Sequence, residues 1–254
     1  LKSIMNQYIK TEFDIASNPE FLREGTAVSD FQNPDRIVIG ADSIKADSIL
    51  TDLYKKFKVQ FCHTSIAGAE IIKHTSNAFL SMKISFANMI AQLCEKSNAD
   101  IEEVMATVGL DKRIGKDFLR AGLGYGGYCF PKDLDAFISI LEKQGINANL
   151  LKEVKNINNA QREYFVELIE KELSPLENKT LGALGLSFKP GTDDIRYSPA
   201  IDVIKKLLEK GTEKIKIYDP KAMEKVKEER IFDTKRIIFC DNPLNVTTLS
   251  NALL

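Results

Sequence analysis

The stretch Gly-Tyr-Gly-Gly-Tyr-Cys-Phe-Pro-Lys-Asp, residues 124–133, sets one thiol, Cys129, between a glycine-rich turn and a cation–acid pair, Lys132 and Asp133. Gly124, Gly126 and Gly127 let backbone N–H groups come close to an anionic ligand, as in a phosphate-cradling turn. A cysteine beside charged groups can act as a thiolate nucleophile, whereas free cysteines are commonly small buried hydrophobes. These ten residues leave both readings open. A metal ligand is the third, and the sequence speaks against it. Cys62, Cys94, Cys129 and Cys240 are widely separated, no CxxC pair occurs, and only His63 and His74 add soft ligands. Neither a metal site nor disulfides are expected.

Three other stretches carry candidate chemistry. Lys73 and Asn77 stand four apart in a helical pattern, so they project from one face and can share a ligand. Glu20 and Glu24, in "NPEFLREG", are two carboxylates four apart beside a glycine, which suits acid and base work. For both pairs the plain alternative is solvated surface side chains. In "GLSFKPGTDDIRYSP", Lys189 and Arg196 can hold phosphates and Phe188 can stack on a base. That stretch follows a strand, at the sheet edge where parallel sheets bind ligands. "GALG" is only part of a dinucleotide fingerprint, and Asp219 stands where a ribose-binding acid would sit; the full GxGxxG is missing.

The elements that must position these groups fall into two kinds. Ile37–Ile39 reads as a strand ended by Gly40, after a turn-rich loop with one helical turn. Helical spacing then predicts a long helix over about 65–95. Asp100 caps a second, which stops near Gly109. A third runs over about 134–144 to Gly145, and a fourth over 150–173 to the breaker Ser174-Pro175. Beyond Pro175 the pattern alternates: "KTLGALGLSF", "KIKIYDP" and "KRIIFCD" read as strands, with "PAIDVIKKLLEKG" and a charged segment as helices between them. Such alternation predicts a parallel, doubly wound sheet of Rossmann type.

The 254 residues carry 35 basic and 36 acidic side chains, a net charge of −1, so bulk charge offers no drive toward nucleic acid or anionic membrane. No apolar run approaches the ~20 residues of a membrane span, and nothing resembles a signal peptide, so cytoplasm is the expected compartment. Leu1 is not an initiator methionine and the chain ends in "TTLSNALL"; both ends read as cut.

Taken together, "SNPEFLREG", "AEIIKHTSN", "DKRIGKDFLRAGLGYGGYCFPKD" and "GLSFKPGTDDIR" resemble, in order and spacing, the UDP-glucose/GDP-mannose dehydrogenase family. The resemblance implies an α/β chain: residues 1–62 end an NAD-binding domain, 63–174 form a helical dimerisation domain, and 175–254 begin a UDP-binding domain. It implies NAD-dependent oxidation of the C6 alcohol of a nucleotide sugar, with UDP-glucose favoured over GDP-mannose or UDP-N-acetyl-hexosamines. A non-catalytic nucleotide-sugar-binding or dimerisation module is the rival from another class.

By the same resemblance, Cys129 is the nucleophile, Lys73 and Asn77 steady a developing oxyanion, Glu20 is the acid/base, and Asp133 positions water. Phe21, Leu22, Arg23, Glu24, Arg120, Leu123, Gly124, Tyr125, Gly126, Phe188 and Lys189 contact the nucleotide sugar. Arg113 reaches the substrate of a neighbouring subunit, which implies a homodimer. Glu24 and Arg196 lie near NAD. His74 and Tyr128 depart from the family's pattern. The family's GxGxxG, ribose-binding acid and catalytic threonine are expected before Leu1, and the last strands and a late substrate arginine beyond Leu254. This stretch alone is therefore expected to lack dehydrogenase activity.

Overall fold

The structure, a computed structural model, describes residues 2–232 and 235–254. It divides into two compact units, Leu1–Ser76 and Asn77–Leu254. The anticipated boundary at 62 lies inside a strand and that at 174 just after a helix.

The first unit is a small α/β body. α1 (Lys2–Met5) and β1 (Ala16–Ser17) lead to α2 (Ala27–Gln32), β2 (Arg36–Ala41), α3 (Ile44–Tyr54) and β3 (Gln60–Thr64). β2 is the centre of a three-stranded sheet, with β3 parallel on one side and β1 antiparallel on the other. Its run Ile37, Val38, Ile39 is buried, as a β-branched central strand should be. At its end a Cβ on Gly40 would come within 2.6 Å of the Ser65 carbonyl and 2.7 Å of Ala69 Cβ, so only glycine lets the strand meet the following helix. α3 is capped by Ser43, whose hydroxyl accepts from the Ala46 N–H at 3.0 Å. No residue of α3 is buried, which is why no apolar periodicity announces it.

α4 (Ile66–Ser97) is the predicted long helix and runs from the first unit into the second. At 32 residues it measures ~48 Å. The second unit continues with α5 (Ile101–Val108), where Asp100 accepts from the N–H groups of Glu102 and Glu103 as the predicted cap. α6 (Cys129–Lys143) and α7 (Asn149–Leu173) follow. α6 starts five residues before the expected Leu134. Pro131 falls in its first turn, where N–H groups have no intrahelical acceptor and a proline costs nothing. Cys129 is therefore the first residue of a helix rather than part of a loop.

After a 3₁₀ turn (Leu176–Asn178) come β4 (Thr180–Leu184), α8 (Pro199–Glu209), β5 (Lys214–Tyr218), α9 (Met223–Glu228), β6 (Ile237–Phe239), α10 (Pro243–Thr247) and β7 (Ala252–Leu253). The strands form one sheet in the order β6-β5-β4-β7, every pairing parallel, as the alternating pattern predicts. The "TTLSNALL" segment supplies β7, which pairs with β4 through Leu181 and Gly182. The main core lies on this sheet, where Leu181, Ile215, Ile217, Ile204 and Leu207 pack with Val166 of α7. A second core gathers Ala78 of α4, Leu134 and Ile138 of α6, Val154 of α7 and Tyr125 of the glycine stretch. These two cores hold the glycine stretch between helices and sheet.

Candidate active site

In the first unit the segment around Glu20 is tied to the sheet through Asn18, which donates to the Val38 carbonyl at 2.7 Å and accepts from the Tyr54 hydroxyl at 2.8 Å. Lys73 reaches this loop: its ammonium donates to the Glu20 carbonyl at 2.6 Å and lies 3.3 Å from Glu20 Oε1. The structure thus brings Lys73 and Glu20 together. Residues 21–23, between Glu20 and Glu24, have no regular structure. Glu20 pairs with the Lys73 ammonium, and its other oxygen accepts from the Leu22 N–H at 2.6 Å. Phe21 is half-buried, with the Arg36 guanidinium 4.0 Å from its ring centroid and the Lys73 ammonium at 5.3 Å. Leu22, Arg23 and Glu24 are exposed. Arg23 forks onto Asp30 of α2 through Nε at 3.1 Å and a terminal nitrogen at 2.5 Å. That fork, together with the Arg23 backbone N–H, holds the Asp30 carboxyl well below the usual carboxylate range.

In the second unit the thiol turn and α4 share a buried contact. Asn77 Nδ2 donates to Asp133 Oδ2 at 2.6 Å, and Lys132 Nζ sits 2.8 Å from Asp133 Oδ1. Asn77 and Asp133 are 7% and 5% exposed, so the carboxylate is held in place rather than solvated. One turn before Asp133 on α6, Cys129 is exposed, while Cys94 and Cys240 are buried. A thiol at the first position of a helix sits where the aligned peptide dipoles favour negative charge. The Asp133 hydrogen bond raises Lys132 above the ordinary lysine value.

Two of the glycines pack closely against a second stretch of chain. Gly127 has φ +74°, and a Cβ there would lie 2.6 Å from the Phe188 ring; a Cβ on Gly126 would collide with the Tyr197 carbonyl and lie 2.8 Å from Pro199 Cδ. The Gly127 N–H donates to the Arg196 carbonyl at 3.0 Å. Gly126 and Gly127 therefore let the thiol turn touch the loop 187–197. Tyr128 joins the same junction, with the Arg196 guanidinium 4.8 Å and the Lys132 ammonium 5.5 Å from its ring centroid.

The strip before the thiol borders an open groove of about 380 Å³, lined by Ile84, Asp117, Phe118, Arg120, Ala121, Gly122 and Gly124. Arg120 and Gly124 of the predicted substrate strip line it. Leu123 packs its side chain into the sheet core, and Tyr125 is buried, its phenol pushed far up by burial. Phe188, half-buried against Gly127, carries Lys189 Nζ 5.5 Å from its ring centroid. Arg196 is exposed, and its guanidinium forks onto the buried Asp194 at 2.8–3.0 Å. Arg113 is exposed and forks onto Asp111. Asp219 is no ribose ligand here. It is 4% exposed, and its carboxylate accepts from the N–H groups of Leu186, Ser187, Lys221 and Ala222 at 2.7–3.2 Å. Burial pushes the group up, and the four backbone hydrogen bonds outweigh it and hold Asp219 below the usual carboxylate value.

Sequence reasoning misses Asn88, Asn158, Gln161 and Arg162, which touch the strip from α4 and α7. Their signal is amides and a guanidinium on the apolar phase of amphipathic helices, at positions that end up buried. Among the described residues no group of three or more His, Cys, Asp or Glu side chains gathers at ligand distance, and no helix is long and apolar enough to cross a membrane.

Three domain models of one family match the chain in order: the NAD binding domain over residues 1–58, the central domain over 67–160, and the UDP binding domain over 182–254. A UDP-glucose 6-dehydrogenase of Rickettsia bellii is 43% identical over 246 residues, 95% of this chain and 56% of the relative. The UDP-glucose 6-dehydrogenase AglM of Haloferax volcanii is 46% identical over 220 residues, 85% of this chain and 51% of the relative. The solved structure of a UDP-glucose dehydrogenase from Pyrobaculum islandicum superposes with a TM-score of 0.93 at 40% identity, covering 99% of this chain and 57% of that one. The chain spans about half the length of the curated relatives it matches. With all three domain models in register and close agreement of fold, the chain belongs to the UDP-glucose/GDP-mannose dehydrogenase family.

Proposed function

We propose that the protein carrying this chain oxidises the C6 alcohol of UDP-glucose to the carboxylate, with two equivalents of NAD taking the hydrides. The observation that carries this reading is Cys129: an exposed thiol at the first residue of α6, one turn from the buried Asn77–Asp133 pair. After the first oxidation the Cys129 thiolate adds to the C6 aldehyde. Loss of a second hydride from the thiohemiacetal leaves a thioester, which water cleaves to release carboxylate and thiol. Covalent capture keeps the reactive aldehyde from escaping between oxidations.

The roles of the other residues rest on the shared motifs. Lys73 and Asn77 stabilise the oxygen that gains charge, Glu20 acts as acid/base in thioester hydrolysis, and Asp133 positions the water. Phe21, Leu22, Arg23 and Glu24, the strip Arg120–Gly126, and Phe188 with Lys189 contact the nucleotide sugar. Relatives named as UDP-glucose 6-dehydrogenases favour UDP-glucose over GDP-mannose or a UDP-N-acetyl-hexosamine. The segmentation 1–62, 63–174 and 175–254 is the corresponding domain plan.

NAD, when bound, supplies the hydride acceptor. The matched NAD-binding segment fits as a parallel β-α-β part of such a domain. Its strand-end glycine, Gly40, is closed by Ser65 and Ala69, so no pyrophosphate cradle lies at that strand end. Glu24 and Arg196 are the residues assigned to the cofactor, and Arg196 is pre-set by its fork onto Asp194.

A homodimer is part of the reading. Phe79, Phe86 and Leu93 recur every seven residues along α4 and stay 45–60% exposed, an apolar row suited to a second copy. Arg113 then serves the neighbouring subunit. Cytoplasm is the proposed compartment, in keeping with four free cysteines.

The test is NADH formation by the full-length protein with UDP-glucose, UDP-N-acetylglucosamine and GDP-mannose. Turnover is expected with UDP-glucose, and Cys129→Ser should block the second oxidation. No NADH with any of the three leaves a nucleotide-sugar-binding or dimerisation module as the surviving reading.

A further inference from the structure

Four backbone polar groups of the strip are held by buried side chains from two helices. Asn88 Oδ1 of α4 accepts from the Gly122 N–H at 2.8 Å, and Gln161 Nε2 of α7 donates to the Gly122 carbonyl at 3.0 Å. Asn158 of α7 closes on Tyr125 from both sides, accepting from its N–H at 2.7 Å and donating to its carbonyl at 3.1 Å. Arg162 adds a bond to the same carbonyl at 3.0 Å, and Gln92 steadies Gln161 at 3.2 Å. Asn88, Asn158 and Gln161 are 0%, 3% and 8% exposed. These amides lie in a dry environment where hydrogen bonds are strong and geometry is fixed.

What the clamp leaves over is informative. Gly122 and Tyr125 are spent on the protein, and the Leu123 side chain is packed into the core. The peptides of Leu123 and Gly124 remain between the two fixed points, and Gly122, Gly124 and Arg120 line the groove. Gly124 has φ +97°, and a Cβ on it would come within 2.5 Å of Asn158 Oδ1, so clamp and glycine require each other. Asn88 Nδ2 is buried with no hydrogen-bond partner among the described residues.

We propose that Asn88, Asn158 and Gln161 are positioning residues for the nucleotide sugar: they fix both ends of a two-residue backbone bridge at the edge of the groove, and the bridge binds the ligand's hydroxyl and phosphate oxygens. The inference rests on the dehydrogenase reading for the ligand's identity, though not for the clamp. A ligand held by preset backbone groups loses affinity when the backbone is freed to move, because binding must then order it.

The experiment is calorimetric titration of UDP-glucose into the full-length protein and its Asn158→Ala and Gln161→Leu variants, with KM and kcat measured alongside. Val226→Ala, a truncation at a buried α9 position outside the clamp, serves as the control for general destabilisation, with Tm measured for all variants. Either clamp variant should weaken UDP-glucose binding at least tenfold and raise its KM in step, with KM for NAD within twofold and Val226→Ala unchanged in both. Should Asn158→Ala fail to fold, Gln161→Leu keeps the Tyr125 half of the clamp and carries the test. Titrations equal to wild type, including absence of heat from both, overturn the clamp. A wild type that binds UDP-glucose without turnover, and binds it more weakly once Asn158 is removed, sinks the dehydrogenase reading and upholds the clamp.

Discussion

Asn77 donates to the Asp133 carboxylate across 2.6 Å with both side chains buried, and Lys132 meets the same carboxylate from the other side. Removing the acid while keeping its bulk, as in Asp133→Leu, strands the Asn77 amide. A loss of about 1–3 kcal/mol in urea denaturation is expected. In Asp133→Asn the ammonium loses the partner that raises it, so Lys132 should titrate at lower pH, read by ¹³C NMR of labelled lysine. An unmoved Lys132 would separate it from Asp133.

Exposure ranks the four thiols. Iodoacetamide at pH 8 should label Cys129 first, Cys62 next, and the buried Cys94 and Cys240 last, with burial also holding Cys240 above the ordinary thiol value. Mass spectrometry of tryptic peptides over a time course gives the order. Labelling of Cys94 ahead of Cys129 would contradict the placement of α6.

Gly127→Ala forces a methyl group toward the Phe188 ring at a positive φ. A destabilisation of about 1–3 kcal/mol is expected from strain and overpacking. Adding Phe188→Ala should recover part of it, so that the double variant loses less than the sum of the singles. Simple additivity in thermal or urea unfolding would show that the two loops do not meet.

The Asp219 carboxylate is depressed in the folded state, so its contribution to stability is present above the unfolded value, ~3.9, and lost as pH falls through the folded value. Asp219→Asn should therefore narrow its stability gap from wild type as the medium is acidified from pH 6 toward pH 3. Urea midpoints across that range measure the gap. A gap that widens in acid would reverse the sign.

If a second copy covers the apolar row of α4, Phe86→Glu should shift the full-length protein from dimer to monomer in analytical ultracentrifugation. Wild type that sediments as a monomer at micromolar concentration would refute the pairing.

The fold is legible where burial imposes a period. α4, α7 and α8 show their apolar stripes, and the C-terminal sheet shows strands and helices in alternation. α3 is hidden because it buries nothing, and the start of α6 because Pro131 looks like a breaker until it is placed in a first turn. At the site, the motif residues are visible by type, but their partners are not. Lys73 beside Glu20 and Asp30 in front of Arg23 are relations of three-dimensional proximity that no motif spacing encodes, whereas Asp194 in front of Arg196 is a local fork between near neighbours in the chain. The clamp amides are hidden for the opposite reason: Asn and Gln on a helix look solvated until the helix face is known to be inside.

The contact of Gly126 and Gly127 with Phe188 and Tyr197 joins two stretches of chain inherited far apart along the gene. A crossover between relatives that falls anywhere from α6 to β4 would pair one parent's thiol turn with the other's 187–197 loop. Where the parents differ at either glycine or at the aromatic that fills its space, such a chimera carries a collision that neither parent has. The two loops are thus expected to pass between lineages together or not at all.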